Sequence, residues 1–270
     1  MSDPSASPPR KAHVLVAKGD LPRYVLLPGD PARVPLIGRG WTTYEEVSNN
    51  REFRVGRGTL DGVALAACST GIGGPSTDIA AVELHDVGID TFIRVGTCAA
   101  LQADIACGSL VISSGALRRS GAADAYVDAG YPAVADHAVT LALIEAAESL
   151  GASYTVGISA SVDSFFAGQD NPPPTGYRPS HFAALIDDLR QQRVANVEME
   201  AATLFVLAGL MAFRAGCICA VASNRATRER RPSEASVELC AAVASRAVVL
   251  LAARDAIAAK AGKRFWYPGL

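Results

Sequence analysis

No block of like charge in this sequence exceeds "RERR" at 228–231, and the formal net charge is only −2. Binding to nucleic acid or to an anionic membrane surface calls for a basic stripe, so neither partner is expected. The "RERR" cluster reads as a solvated loop. Uncharged apolar runs of membrane-spanning length are also missing, because the run after Glu200 stops at Arg214. The N-terminal "MSDPSASPPRKA" lacks the apolar stretch of a signal peptide. It is polar and proline-rich, and the expectation is a disordered tail over residues 1–12. None of the six cysteines (Cys68, Cys98, Cys107, Cys217, Cys219 and Cys240) belongs to a C-x-x-C pair, and most sit in apolar runs. Buried reduced thiols in a cytoplasmic protein are expected, rather than disulfides. There is no Walker loop, no G-x-G-x-x-G fingerprint, no internal repeat and no linker of domain-boundary length.

What is present is a chain of 270 residues, half of them hydrophobic, with 24 glycines. That composition suits an α/β protein, read here as one domain over 13–270. Strand patterns are expected at 23–29, 62–68, 90–95, 108–117, 155–162 and 217–224. Helices are expected at 75–88, 136–151 and 233–260. The first of these has Pro75 in its opening turn and Gly88 at its end, and the last has Ser233 and Ser236 as candidate caps. Strands alternating with helices define α/β architecture. The segment "GQDNPPPTGYRPSH" at 168–181 is the one long loop, of the kind that often serves as a lid or binding loop.

Three glycine-bearing segments follow strands: "PGDPARV" (28–34), "STGIGGPST" (69–77) and "IRVGTCAAL" (93–101). In α/β folds ligands bind where parallel strands end. Glycines let backbone N–H groups approach an anion, and the N-terminus of a following helix attracts it. Arg33 and Arg94 can each add a charge-assisted bond worth about 1.5–3 kcal/mol. Arg94 lies inside an apolar strand, so it is either an anion ligand or one half of a structural ion pair. "NVEMEAATLFVLAGLMAF" (196–213) sets Glu198 and Glu200 just ahead of an apolar run. They would share one face in a strand and lie about 200° apart in a helix, so neither geometry makes a simple acid/base couple. An exposed helix N-terminus is the plain alternative.

"LLPGDPARV", "NREFRVGRGTLDG", "CSTGIGGPSTDIAAVEL", "FIRVGTCAAL", "ASVDSFFAGQ", "NVEMEAATL" and "SNRAT", in that order over roughly residues 13–260, resemble the nucleoside phosphorylase family of hexameric type, in its pyrimidine branch. The resemblance implies a single-domain α/β fold with a central mixed β-sheet flanked by helices. It implies cleavage of an N-glycosidic bond by phosphate, with uridine the expected nucleoside. Phosphate would be held by Gly29, Arg33, Arg94 and Thr97, with Arg51 supplied by a neighbouring subunit. Glu200 would accept the ribose hydroxyls, with Met199 and Thr97 against the sugar and His13 reaching the 5′-hydroxyl across a dimer interface. Without the resemblance, His13 reads as an exposed histidine near a tail. Phe165, Gln169 and Arg225 would contact the base, and Glu198 would support the site or lie near the base. Arg94, Glu200 and Arg225 would carry the catalysis.

No cofactor or catalytic metal is implied. Phosphate is a co-substrate, and a potassium ion at the dimer interface near Glu52, Ile72 and Ser76 is known in some relatives. The implied partners are a nucleoside, phosphate and further copies of the chain, as a homo-oligomer built as a hexameric trimer of dimers. Three positions depart from the family pattern. Asn171 stands where pyrimidine-specific members carry an arginine, Ala99 stands where glycine is usual, and Asn224 stands where purine-specific members carry a proton-donating aspartate. The first two loosen the uracil reading, and the third weighs against a purine one. Replacing Arg94 by alanine is expected to remove activity and leave the fold intact.

Overall fold

The computed structural model describes residues 9–182 and 184–270. The tail expected over 1–12 therefore lies outside the described residues as far as Pro8. The Arg10 side chain donates to the Leu15 carbonyl, the Lys11 ammonium pairs with Asp86, and the Lys11 N–H donates to the Val16 carbonyl at 2.8 Å.

The chain opens with β1 (Tyr24–Pro28), five buried residues in a row, then α1 (Arg33–Gly38). An antiparallel hairpin, β2 (Thr43–Asn50) and β3 (Phe53–Leu60), leads into β4 (Val63–Cys68), and α2 (Gly74–Asp86) follows the glycine loop. Next come β5 (Thr91–Ala100), β6 (Leu110–Arg119), the short α3 (Gly121–Asp124) and the two-residue β7 (Ala133–Val134). The second half holds α4 (His137–Ser149), β8 (Tyr154–Val162), α5 (Leu185–Gln191), β9 (Asn196–Glu198) and α6 (Ala201–Met211). It ends with β10 (Arg214–Asn224) and α7 (Glu234–Lys260). Asp136 caps α4 by accepting from the Ala138 and Val139 N–H groups, and Ser233 caps α7.

The expected strands and helices are all present, and one expectation is corrected. "GTCAAL" is not a loop: β5 continues through Thr97 to Ala100, paired with β10 along its whole length. The hairpin at 43–60 escapes sequence reading because Gly56 and Gly58 interrupt its apolar alternation. The Tyr44 ring fills the space over Gly38 and Gly56, where a Cβ would come within 2.1 and 2.4 Å of it.

The strands among the described residues form one mixed sheet, in the order β10-β6-β8-β9-β5-β1-β4-β3-β2. An additional parallel pairing of β10 with β5 closes five of them into a ring. The reason lies in β5. Parallel β1 occupies one edge of β5 as far as Val95, while β10 runs along the other edge from Thr91 to Ala100. Beyond Val95 the first edge is taken over by β9, at Ala99 and Ala100. Between Val95 and Ala99 that edge changes partner from β1 to β9, the kind of switch point at which α/β sheets bind ligands.

Two large apolar cores cover the sheet, and a smaller third gathers Leu101, Val162, Leu189 and Val197. One gathers α2 and α6, with Ala80, Leu84, Leu204, Phe205 and Leu207. The other gathers α1, α4 and α7, with Ile37, Leu143, Val243 and Leu251. α6 is apolar on every side because its residues 201–208 are all buried, which suits a helix inside a core. α7 is long and apolar enough to cross a membrane by length and composition. Its inner face, however, is buried against α4 and the sheet, so the apolar run belongs to the core.

Candidate active site

The two carboxylates of "NVEME" sit at a strand-to-helix junction. Glu198 is the last residue of β9, and Glu200 is the residue that precedes the first turn of α6. Both are buried, and both pair with one guanidinium. Arg94 Nε donates to Glu198 Oε2 at 2.7 Å, and Arg94 Nη2 lies 2.5 Å from Glu200 Oε2. Both carboxylates accept further bonds. Glu198 Oε2 accepts the Glu200 and Ala201 N–H groups at 2.9 Å, and Glu198 Oε1 accepts from the Ser161 hydroxyl. Glu200 Oε1 accepts the Gly73 N–H at 2.6 Å. The free N–H groups at the start of α6 thus find partners in Glu198 and, through Ala202 N–H to Ser161 Oγ at 2.8 Å, in Ser161.

The electrostatics follow from that packing. Burial alone would lower the Arg94 pKa, but Glu200 and Glu198 outweigh it and hold the guanidinium charged, well above its ordinary value. Burial pushes the Glu200 carboxyl up, a shift only partly offset by Arg94 and the Gly73 N–H. Of the two roles implied for Glu198, base contact or support, this geometry is that of support, since both its oxygens already accept from protein donors.

Arg94 lies on β5 at the point where Leu27 of β1 faces it. Side chains alternate along a strand, so Arg94 follows Phe92 and Thr97 follows Val95 on the opposite side. The Arg94 head bends along the strand over Gly96, where a Cβ would come within 2.6 Å of Nη2 and 2.8 Å of Cζ. Gly96 therefore lets the guanidinium reach the position next to Thr97. Thr97 itself lines a cavity of about 290 Å³ with Arg33, Ala220, Val221 and the first turn of α7. Gly29, at the end of β1, abuts the glycine loop: a Cβ there would lie 3.0 Å from the Gly71 carbonyl oxygen. Gly71 and Gly73 have φ of +72° and +92°, which favour glycine, and the second of these turns the Gly73 N–H group toward Glu200.

The base-side residues come from two segments. Phe165 is half exposed and meets Phe166 edge-to-face, with centroids 5.6 Å apart, whereas Gln169 is buried. Asn171 turns back on its own loop, donating from Nδ2 to the Phe165 carbonyl and from its backbone N–H to the Phe166 carbonyl, both at 2.9 Å. Arg178, beyond the prolines, pairs with Asp170 at 3.1 Å. Arg225 follows β10 and bonds through its N–H to the Ala100 carbonyl, and burial lowers its pKa. Asn224 is wholly structural. Its Nδ2 donates to the Gln102 and Ile105 carbonyls at 2.8 Å, and its Oδ1 accepts the Ala226 and Thr227 N–H groups. Ala99 is buried beside Val197, its partner on β9.

Of the site residues expected from the sequence, only Arg33 and Thr97 line the 290 Å³ cavity; Gly29, Arg94, Glu200, His13 and Arg51 do not. Arg51 is exposed at the β2–β3 turn with φ +53°. His13 is held by Glu83, which accepts its backbone N–H and lies 2.6 Å from Nδ1. Glu52 and Ser76 crowd the open side of Gly71, where a Cβ would lie 2.8 Å from Glu52 Cγ and 3.0 Å from Ser76 Oγ, and the Ser76 hydroxyl donates to the Ile72 carbonyl at 3.4 Å. Met199 lies partly exposed between the two glutamates. Sequence reading missed Ser161, Gly73, Gly96 and Glu83. Ser161, Gly73 and Glu83 each act on another site residue across a long sequence interval, so no local pattern marks them; Gly96 is two residues from Arg94, but its role depends on how the guanidinium folds back over the strand.

The Phosphorylase superfamily profile matches residues 23–254, which span every strand of the sheet. The chain belongs to the Phosphorylase superfamily. It is 53% identical over 258 residues to a uridine phosphorylase of Thermococcus kodakarensis, covering 96% of this chain and 92% of the relative. It is 40% identical over 220 residues to the uridine phosphorylase of Escherichia coli, covering 80% and 87%. A guanosine phosphorylase of Halorubrum lacusprofundi is 37% identical over 230 residues, covering 85% and 90%.

Proposed function

We propose that this chain is a pentosyltransferase that cleaves uridine with phosphate, releasing uracil and forming ribose 1-phosphate. The observation that carries the reading is the buried guanidinium of Arg94, held between Glu198 and Glu200 on the strand that pairs with β1. It agrees with the identity to uridine phosphorylases. Arg94, Arg33, Gly29 and Thr97 hold the phosphate dianion, joined by Arg51 of a second copy. A phosphate oxygen forms the new bond to the anomeric carbon as the glycosidic bond breaks. The bonding pair leaves with the uracil nitrogen, which takes a proton after release. Positive charge grows on the ribose during that step, and the Glu200 carboxylate beside the ribose hydroxyls stabilises it.

Met199 covers the apolar face of the sugar, and His13 of a second copy meets the 5′-hydroxyl. Phe165, Gln169 and Arg225 hold uracil, with the amide of Gln169 suited to its alternating donor and acceptor edge. The enzyme works as a cytoplasmic homo-oligomer, a hexamer assembled as a trimer of dimers. A potassium ion near Glu52, Ile72 and Ser76 belongs to the same reading, with the Ser76 hydroxyl and the Ile72 carbonyl, 3.4 Å apart, as oxygen donors. Its substrates are small molecules, with neither nucleic acid nor membrane as a partner. The second reading, a purine nucleoside as substrate, is favoured by the guanosine phosphorylase relative. Asn224 weighs against it, since its amide is committed to four backbone bonds and carries no titratable proton. The test is base release from a panel of nucleosides with and without phosphate. Uridine cleavage only in phosphate is expected. Phosphate-independent cleavage would make the protein a nucleosidase, and cleavage of inosine or guanosine but not uridine would move it to the purine branch. Binding without turnover would make it a nucleoside-binding protein.

A further inference from the structure

We infer that Ser161 is a positioning residue for Arg94, acting through Glu198; this rests on the reading of Arg94 as a phosphate ligand. Ser161 and Glu198 are register partners on the parallel strands β8 and β9, so their side chains rise from the same face of the sheet. Both are almost completely buried. The Ser161 hydroxyl has one proton, and it goes to Glu198 Oε1. The hydroxyl oxygen in turn accepts the Ala202 N–H at 2.8 Å, which aims that proton at the carboxylate. With Oε1 held in this way, the carboxylate plane cannot rotate, and Oε2 stays where it meets Arg94 Nε and the first N–H groups of α6.

The consequence for Arg94 is geometric. Its guanidinium is planar, so fixing Nε against Glu198 fixes the direction of both terminal nitrogens. Nη2 then falls over Gly96 and against Glu200. Glu200 has its own anchor in the Gly73 N–H, so the two carboxylates restrain the guanidinium from independent elements. Without the Ser161 hydroxyl, Glu198 Oε1 loses its side-chain donor and the Ala202 N–H loses its acceptor. The carboxylate is then free to turn, and Arg94 turns with it. A shift of about 1 Å in a substrate-aiming group can cost on the order of 100-fold in rate.

The experiment compares wild type, Ser161→Ala, Ser161→Thr and Ser161→Cys in steady-state assays with uridine and inorganic phosphate varied separately, together with thermal melting. In Ser161→Ala the phosphate KM is expected to rise about 10- to 100-fold, while the uridine KM stays within about threefold of wild type. Ser161→Thr keeps the hydroxyl and should restore the phosphate KM to within about threefold. Ser161→Cys is close in size and a weaker donor, and should fall between the two. It decides the question if the alanine variant does not fold. A lower melting temperature with an unchanged phosphate KM in both Ser161→Ala and Ser161→Cys overturns the inference, as does an equal rise in both KM values. The wild-type arm keeps the two readings apart. If wild type releases uracil without phosphate, the phosphorolysis reading fails. If wild type depends on phosphate and the variants bind it normally, only the role of Ser161 fails.

Discussion

Replacing Arg94 by alanine should cost stability as well as activity, contrary to what the sequence alone leads one to expect. The side chain is 6% exposed, and its partners Glu198 and Glu200 are 0% and 6% exposed at the side chain. Removing the guanidinium leaves two buried carboxylates facing each other with backbone N–H groups and one hydroxyl for compensation. Breaking a buried pair by deleting one partner costs about 3–5 kcal/mol. For a chain of this size that corresponds to a melting temperature lower by roughly 6–20 °C. Activity should fall at least about 100-fold through loss of a charged contact to the transition state. The assay is differential scanning calorimetry beside steady-state kinetics on the soluble fraction. Combining Arg94→Met with Glu198→Gln and Glu200→Gln removes all three charges, so it should recover part of the melting temperature and remain inactive. An Arg94→Ala variant that melts within about 2 °C of wild type would refute the argument that the ion triad is buried and mutually dependent.

Gly96→Ala places a methyl group 2.6 Å from Arg94 Nη2 and 2.8 Å from Cys219 Sγ, and should lower kcat/KM for phosphate by about 10- to 100-fold; a change below twofold would show that the guanidinium does not need that space. Asn224→Asp should lose at least about 2 kcal/mol, because a carboxylate cannot donate to the Gln102 and Ile105 carbonyls, and should gain no purine cleavage, as chemical denaturation and an inosine assay will read out. At alkaline pH the Tyr24 hydroxyl becomes the sensitive group, because burial and its bond to Asp255 push its pKa to about 12 from an ordinary 10. The folded state holds that proton more tightly, so the contribution is complete below pH 10 and disappears as pH rises towards 12. Unfolding free energies of wild type and Tyr24→Phe should therefore converge over that window. Burial alone would raise the Asp255 pKa, but Arg214 and Tyr24 hold it below the ordinary 3.8. Its contribution is present above that pH and is lost as pH falls through the lowered value, so Asp255→Asn should flatten the acid limb of the wild-type curve.

Much of the α/β frame was legible because local physics writes it. "YVLLP" is a continuous apolar run, as a strand buried on both faces requires, and Pro75, Gly88, Asp136 and Ser233 punctuate helices through chemistry that operates within a few residues. The hairpin at 43–60 was not legible, because its apolar alternation is broken at Gly56, whose place is filled by Tyr44 from the facing strand, and at Gly58, which lies against Thr43 and Trp41. "GTCAAL" looked like a loop because glycine and threonine follow an apolar run, yet β10 supplies a hydrogen-bonding edge along its whole length. The residue types of the site were readable: a lone arginine in an apolar strand, two glutamates before a helix, and glycines after strands.

Their relation was not readable, because it depends on β9 arriving at β5 where β1 leaves it. Only that crossing brings Arg94 to Glu198, 104 residues away, and leaves Ser161, 37 residues before Glu198, to hold the carboxylate in place. By itself the sequence determined which charges would need partners once buried. Only the tertiary structure decided which partners they found, since a buried carboxylate has its energy set by donors that reach it through space and not along the chain.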